Sequence, residues 1–325
     1  MFRASIFYWL PLALALLCVS QLSYAETIRE RIAERRLLQQ AQKLDEVEAA
    51  DSEVLPAGVR VMRDVPYGKD ALQRMDIYLP AQATTAPVIL MVHGGAWRVG
   101  DKAASSVVQN KVARWVARGF ILISANYRML PKAAPLEQAQ DVARALAAAQ
   151  NSALSWGGDP ARFILMGHSA GAHLVALLAA SPDIAFKLGA KPWLGTVALD
   201  SAAFDMVPIM QTRHARFYDQ AFGSDLAYWK AASPYQVLSV NAAPILAVCS
   251  VRRSDSCQQA KRFVEKAVSL KLRAQVLRQD LSHMEINQQL GVAGAYTREV
   301  EDFMGTLDKG VQGLLAQDAS STRHY

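Results

Sequence analysis

The chain has 325 residues, of which 52% are hydrophobic and 20% are charged, a composition typical of a globular protein and not of a disordered one. Its 35 Lys and Arg residues outnumber its 29 Asp and Glu residues, but the basic residues are scattered and form no tract. Scattered charge leaves no electrostatic footprint for nucleic acid, so we expect no nucleic-acid partner.

The first 25 residues have the pattern of a secretory signal peptide. Arg3 supplies a positive charge, an apolar run follows, and Ser23-Tyr24-Ala25 places small residues where a signal peptidase cleaves. The apolar run is shorter than the ~20 residues of a spanning helix, which favours cleavage after Ala25 over a retained membrane anchor. We therefore expect an exported protein, periplasmic or secreted, with no stable membrane span after cleavage.

The rest of the chain divides into three segments. Residues 26–53 are charged, with apolar residues near helical spacing, and predict an amphipathic helix on the domain surface. In residues 54–308 short apolar strands alternate with helices, which predicts one α/β domain with a mostly parallel central sheet and helices on both faces. Residues 309–325 are predicted to form a mobile C-terminal tail.

The predicted elements of the domain follow from hydrophobic periodicity. The strands are expected at residues 59–61, 75–78, 87–92, 120–124, 163–166, 194–199, 244–248 and 274–277. The helices are expected at residues 104–118, 136–154, 170–180, 258–270 and 297–307. Residues 202–235 fit the alternation least well and are rich in aromatic side chains. We interpret them as an excursion over the carboxyl edge of the sheet, where an insertion usually covers a functional site.

The pentapeptide Gly167-His168-Ser169-Ala170-Gly171 lies between a predicted strand and a predicted helix. It fits the pattern Gly-x-Ser-x-Gly, in which a sharp turn exposes a serine hydroxyl at its apex. The turn crowds the neighbours of the serine, and glycine on both sides relieves the clash. The following helix also favours the negative charge that develops near its N-terminus. Ser169 is therefore the predicted nucleophile.

A second glycine-rich segment, residues 93–97, reads His-Gly-Gly-Ala-Trp and follows the buried strand at 87–92. Glycines after a strand let the backbone approach a substrate closely. Two amides of this segment, together with the amide of Ala170, are candidates for binding the oxyanion of a tetrahedral intermediate. We expect His93 to brace the segment rather than to transfer protons.

A nucleophilic serine needs a base, and the base needs an orienting carboxylate. The order Ser, acid, His, which accompanies this turn, places the histidine after the last strand. His283 follows the strand at 274–277 and meets that requirement, whereas His214 lies in the irregular excursion and is the weaker candidate.

The orienting acid is expected after the preceding strand, at 244–248. Asp255 lies there and is the predicted acid. Asp200 and Asp205, which follow the strand at 194–199, are also candidates.

Two cysteines flank the predicted acid. With Cys18 removed in the signal, Cys249 and Cys257 are an even pair in an oxidising compartment. We predict a disulfide between them that pins this loop and fixes Asp255, with two free thiols as the competing interpretation.

Five motifs together resemble a known group of enzymes. They are His93 to Trp97, Tyr127-Arg128, Gly157-Gly-Asp-Pro160, the pentapeptide at 167–171 and Ser282-His283. This set is similar to bacterial α/β-hydrolase esterases: hormone-sensitive-lipase-like carboxylesterases and kynurenine-formamidase-like and feruloyl-esterase-like hydrolases. The resemblance covers roughly residues 59–307.

The resemblance implies the α/β-hydrolase fold, with Ser169 as nucleophile and His283 as base. It implies an oxyanion hole made by the amides of Gly95, Ala96 and Ala170, with Gly94 adjacent. Ala96 stands where a third glycine is usual, which argues against a strict hormone-sensitive-lipase assignment. The acid loop also lacks the common Gly-x-x-Asp form.

Together these residues predict a serine hydrolase that cleaves small carboxylic esters through an acyl-enzyme intermediate, without a metal or organic cofactor. Hydrolysis of an N-formyl amide at the same site is a competing hypothesis. A non-catalytic binding protein on a hydrolase scaffold is another. No pattern in the sequence indicates an oligomeric state.

Overall fold

The computed structural model describes residues 55–316. The predicted signal peptide, the predicted helix at 26–53 and residues 317–325 lie outside this range. No helix within residues 55–316 is long and apolar enough to cross a membrane.

Eight strands form one sheet: β1 (Arg60–Pro66), β2 (Arg74–Leu79), β3 (Ala86–Val92), β4 (Ile121–Ala125), β5 (Gly158–His168), β6 (Gly195–Leu199), β7 (Ile245–Ser250) and β8 (Ala274–Gln279). Their order across the sheet is β1-β2-β4-β3-β5-β6-β7-β8. β1 and β2 pair antiparallel with their neighbours, and the strands from β4 to β8 run parallel. The predicted mostly parallel sheet is confirmed.

The α-helices are α1 (Ser105–Trp115), α2 (Pro135–Ser152), α3 (Ala170–Ala180), α4 (Asp183–Phe186), α5 (Met206–Met210), α6 (Arg216–Phe222), α7 (Leu226–Ala231), α8 (Pro234–Val237), α9 (Ser254–Ser269), α10 (His283–Gln288), α11 (Ala295–Gly305) and α12 (Lys309–Ala316). The excursion at 202–235 therefore consists mainly of the short helices α5 to α8.

Strand β3 lies inside the sheet, between two apolar cores. Val88, Leu90 and Val92 belong to the core that contains residues of α2 and α3, and Ile89 and Met91 belong to the core that contains residues of α1 and α11. None of these five side chains is exposed, since alternate residues of a strand face opposite sides and helices cover both. Burial of each contributes about 1.5–3 kcal/mol, which holds β3 and the segment after it in place.

The domain extends further than predicted. Helix α12 covers residues that were predicted to begin a mobile tail, and its Val311 is completely buried. Leu314 and Leu315 are half-buried against the same core. These residues recur at the spacing of one helix face, so the segment at 309–316 packs on the domain, and the boundary at residue 308 is corrected.

Candidate active site

The carboxyl ends of three neighbouring strands carry the main groups of the site. Residues 93–97 follow β3, Ser169 follows β5, and Asp200 follows β6. Parallel strands end at the same edge of a sheet, so residues far apart in the chain meet there.

Ser169 occupies a backbone conformation that few side chains adopt, with φ 54° and ψ −114°. The flanking glycines are required for the turn. A Cβ on Gly167 would lie 2.4 Å from the carbonyl oxygen of Gly171, and a Cβ on Gly171 would lie 2.3 Å from that of Val92. The turn therefore tolerates no side chain at either glycine, and Ser169 stands at its apex between β5 and α3.

A continuous chain of hydrogen bonds joins three side chains at this edge. The Ser169 hydroxyl lies 3.0 Å from Nε2 of His283, in position to donate its proton. Nδ1 of His283 lies 2.6 Å from Oδ2 of Asp200 and donates to that carboxylate. His283 is the first residue of α10, directly after the N-cap Ser282, whose capping box with Glu285 holds the start of the helix in position.

The carboxylate of Asp200 is completely buried and fully hydrogen-bonded. Its Oδ1 accepts from the amide of Ser250 at 2.8 Å and from the hydroxyl of Ser256. Its Oδ2 accepts from His283 and, at 2.8 Å, from Nη1 of Arg253. Burial alone would raise the pKa of Asp200, but the hydrogen bond from His283 and the charges of His283 and Arg253 outweigh burial and hold the pKa well below its usual range. Asp200 is therefore ionised at neutral pH.

The prediction that Asp255 orients His283 is wrong, because the structure places Asp200 against the imidazole instead. The side chain of Asp255 is 60% exposed, and it pairs with Arg253 at 3.6 Å. The chain turns into α9 only a few residues after β7, so Asp255 lies in the first turn of that helix and makes no hydrogen bond to His283. Asp200, the second candidate, contacts His283 instead, and it does so from a backbone conformation with φ 53°.

Asp205 and His214 lie apart from this chain of hydrogen bonds. Asp205 is the N-cap of α5 and accepts a hydrogen bond from Gln236 at 3.0 Å. His214 pairs with Asp219 at 3.0 Å, so its side chain is bound within the excursion.

The disulfide predicted between Cys249 and Cys257 is present, with the two Cα atoms 5.0 Å apart. It closes a loop that carries three partners of Asp200: Ser250, Arg253 and Ser256. The disulfide therefore supports the carboxylate of Asp200, whereas the sequence associated it with Asp255.

Reduction of this disulfide is expected to lower the free energy of unfolding by about 2.5 kcal/mol, since a short cross-linked loop restricts the unfolded chain by about that amount. Urea unfolding with and without dithiothreitol measures the change. The Cys249→Ala/Cys257→Ala double variant serves as the control that dithiothreitol should not affect. Equal midpoints for wild-type protein whose thiols are shown to be free would contradict the expectation.

The predicted oxyanion hole lies against the serine. A Cβ on Gly94 would lie 3.0 Å from Cβ of Ser169, so this backbone lies close against the serine. Gly95 has φ 109°, where an added Cβ would collide with the carbonyl of Val99 at 1.9 Å. No group in residues 55–316 accepts a hydrogen bond from the amides of Gly95, Ala96 or Ala170. These amides are therefore available to a ligand.

Two buried histidines brace the segment at 93–97. His93 stacks on Tyr127 with ring centroids 4.6 Å apart, and its Nδ1 donates to the carbonyl of Gly94 at 2.8 Å. His173 accepts at Nδ1 from the indole of Trp97 at 3.2 Å and donates from Nε2 to the carbonyl of Ala232 at 2.7 Å. Burial lowers the pKa of His93 and lowers the pKa of His173 to about 4. Both side chains are therefore neutral and hold the segment at 93–97 in position.

The groups around His283 act on its pKa in opposite directions, and the net effect is to lower it. Burial lowers its pKa first, the hydrogen bond to Asp200 opposes that effect, and the charge of Arg253 lowers the pKa further. The ring of His168 lies 4.5 Å from that of His283, and its Nε2 donates to the His283 carbonyl at 2.9 Å. A neutral imidazole with Nδ1 protonated has a free electron pair on Nε2, which faces the Ser169 hydroxyl and can accept a proton.

A cavity of about 1050 Å³ opens in front of Ser169. The segment at 93–97 forms one wall, and the excursion forms another with Ile209, Phe217 and Tyr218. Trp97 packs edge-on against Phe222 of the excursion at 4.9 Å, which joins these walls. Within residues 55–316 no group of three or more His, Cys, Asp or Glu side chains is arranged to hold a metal ion.

Sequence reasoning missed three contributors to the site: Arg253, Ser256 and His168 as a partner of His283. Arg253 lies two residues before Asp255, inside the disulfide loop, and this position was the available signal, but nothing in the sequence indicated that Arg253 contacts Asp200.

The fold, together with the hydrogen-bonded Ser169, His283 and Asp200 at the carboxyl edge of its sheet, defines an α/β-hydrolase. Esterase B from Lactobacillus rhamnosis has the same fold, with a TM-score of 0.64 and 20% identity over 96% of this chain and 98% of that one. Residues 75–250, more than half of the chain, match the BD-FAE family. The protein belongs to the BD-FAE family.

Two curated relatives are similar to this chain. A probable isoprenylcysteine alpha-carbonyl methylesterase of Oryza sativa subsp. japonica is 36% identical over 118 residues, 36% of this chain and 27% of the relative. Esterase LipC of Mycobacterium tuberculosis is 30% identical over 243 residues, 69% of this chain and 58% of the relative. The chain thus spans about a quarter of the length of the first relative and somewhat more than half of the second.

Proposed function

We propose that this protein is a serine hydrolase that cleaves carboxylic esters of small molecules through an acyl-enzyme intermediate. The observation that carries the proposal is the unbroken hydrogen-bonded chain from buried Asp200 through His283 to Ser169, beside amides that lack an acceptor within residues 55–316. This is the arrangement of a nucleophile, its base and the group that orients the base. The esterase names of the relatives support the choice of esters.

In the first half of the reaction Oγ of Ser169 attacks the ester carbonyl while Nε2 of His283 takes the hydroxyl proton. Asp200 holds the imidazole in the required tautomer and stabilises the imidazolium. The amides of Gly95, Ala96 and Ala170 bind the negative oxygen of the tetrahedral intermediate. One such donor is worth about 2.7–4 kcal/mol of the barrier.

The imidazolium of His283 then gives its proton to the departing alcohol, and the acyl group remains on Ser169. Water enters the second half of the reaction in place of the alcohol. His283 takes a proton from that water, which attacks the acyl carbonyl, and returns it to Oγ of Ser169 as the acid leaves. Every proton is transferred between Nε2 of one histidine and an oxygen beside it.

The cavity supports a small-molecule substrate with an apolar part. Its volume of about 1050 Å³ is at the upper end for small-ligand sites. Trp97, Phe217 and Tyr218 provide flat apolar surface beside Ser169, and Ile209 adds an aliphatic one. We propose that the excursion at 202–235 selects the ester.

We also propose that the protein works outside the cytoplasm. The signal pattern of residues 1–25 supports export. The disulfide between Cys249 and Cys257 supports it independently, because an oxidising compartment preserves such a bond.

A fluorophosphonate probe tests the proposed nucleophile and separates an enzyme from a binding protein on the same scaffold. Oγ of Ser169 is expected to displace fluoride from phosphorus, with the hydroxyl proton passing to His283, and peptide mapping should place the adduct on Ser169. Heat-denatured protein should remain unlabelled, since the turn that exposes the serine is then lost. Folded protein that never reacts would favour the binding protein.

A further inference from the structure

Arg253 occupies an unusual position for a cation. Its Nη1 donates to Oδ2 of Asp200 at 2.8 Å and lies 2.8 Å from Nδ1 of His283. Nη1 and a protonated Nδ1 are both donors, so they do not bond to each other and instead share one carboxylate oxygen. The guanidinium therefore lies against the ring that becomes positively charged during the proposed reaction.

The surroundings of Arg253 hold it there. It lies in the loop that the disulfide closes, and its backbone amide donates to the carbonyl of Ser250 at 3.2 Å. Its second terminal nitrogen, Nη2, pairs with Asp255 at 3.6 Å. Its side chain is 29% exposed and lines the cavity, so the guanidinium is only partly screened by solvent.

The charged and titratable groups that face His283 come from three elements. Asp200, after β6, favours the imidazolium. Arg253, before α9, disfavours it, and Asp255, in the first turn of α9, favours it from farther away. His168, at the end of β5, is buried and its pKa is lowered well below the ordinary value, first by burial and then by His283. Arg253 is therefore the permanent cation in direct contact with the Asp200–His283 pair.

We infer that Arg253 is a positioning residue that sets the basicity of His283. By sharing Oδ2 of Asp200 it fixes the rotamer of the carboxylate and offsets part of its charge, so the imidazole stays neutral, and able to accept a proton, at lower pH than a pair without the guanidinium. The inference rests on the proposed function, in which neutral His283 is the base.

The charge of Arg253 determines the direction in which its removal changes the pKa of His283. A nearby cation disfavours the protonated form of histidine, so removing it raises the histidine pKa. Arg253→Met keeps much of the aliphatic length and removes the charge. We expect the pKa of His283, and with it the acid limb of the kcat/KM profile, to rise by about one pH unit. Arg253→Lys retains a cation and should remain close to wild type.

The test is an NMR titration of the histidine rings in wild type, Arg253→Met and Arg253→Lys, with the His283 signals assigned by their loss in His283→Gln. Arg252→Met is the matched control. Arg252 pairs with Asp280 and Glu285 at an exposed position and contacts neither Asp200 nor His283, so its variant should leave the titration unchanged.

A rise of the His283 pKa in Arg253→Met, with little change in the lysine variant and in Arg252→Met, supports the inference. An unchanged pKa in Arg253→Met overturns it, as does an equal rise in Arg252→Met. A uniform loss of kcat/KM at every pH, with no shift of the acid limb, also overturns it. That result would indicate that Arg253 only stabilises the disulfide-closed loop and does not act on the pKa of His283. The titration needs no ester turnover, so failure of the proposed function would be seen separately, as absence of hydrolysis by wild type.

Discussion

Asp200→Asn is expected to lower kcat/KM for a short p-nitrophenyl ester by about four orders of magnitude, while Asp255→Asn leaves it within about twofold. The amide of asparagine keeps the shape of the carboxylate but carries no charge to stabilise the imidazolium. When its oxygen keeps the hydrogen bonds from Ser250 and Ser256, its NH2 group faces Nδ1 of His283 and donates to it. His283 then favours the tautomer with its proton on Nε2, which cannot take a proton from Ser169. Asp255 accepts from the amide of Ser256 at 2.9 Å and makes an exposed ion pair with Arg253, and such pairs contribute little.

The two asparagine variants control for each other, since each removes one negative charge close to Arg253. Thermal unfolding of both should accompany the assays, because Asp200→Asn also weakens a buried ion pair and some loss of stability is expected. A folded Asp200→Asn variant with near wild-type kcat/KM, or a large loss in Asp255→Asn, would contradict the assignment of Asp200 as the orienting acid.

Ser169→Ala is expected to abolish the hydrolysis, with a loss of kcat of about 10⁶. Without Oγ no acyl-enzyme forms, and His283 and Asp200 have no nucleophile to activate. The variant should fold, because alanine fits wherever the serine side chain does. Assays of p-nitrophenyl acetate hydrolysis and of fluorophosphonate labelling measure the loss.

Removal of the base provides a comparison with removal of the nucleophile. His283→Ala should cost nearly as much as Ser169→Ala, and the double variant should be little worse than either, because the residues act as one unit. Near wild-type activity in Ser169→Ala would contradict the proposed mechanism. Additive losses in the double variant would show that the two side chains work independently.

Local patterns in the sequence were enough to predict the turn around Ser169. Two glycines around a serine, between an apolar strand and a helix, predict a sharp turn, and the structure shows the collisions that any larger residue would cause there. The continuous apolar run at 87–92 likewise predicted a strand covered on both faces, because only such a strand can bury every side chain.

The acid was not predictable in this way. Asp200 and Asp255 both follow apolar strands, and chain order allows either to precede His283. What separates them is where the chain goes next. Asp200 remains at the sheet edge with φ 53°, whereas Asp255 lies in the first turn of α9 with its side chain mostly exposed. No pattern of residue types in the sequence predicts these two positions.

By itself, the sequence indicated the class of fold, the turn that carries Ser169, the place of His283 after the last strand, and a disulfide between Cys249 and Cys257 in preference to two free thiols. Those features depend on local backbone sterics, on periodicity and on the order of motifs along the chain. Tertiary structure alone decided that Asp200 is the partner of His283 and that Arg253 touches both. Such contacts join residues 30 to 83 positions apart, and they depend on which strands are neighbours and how deeply each charge is buried.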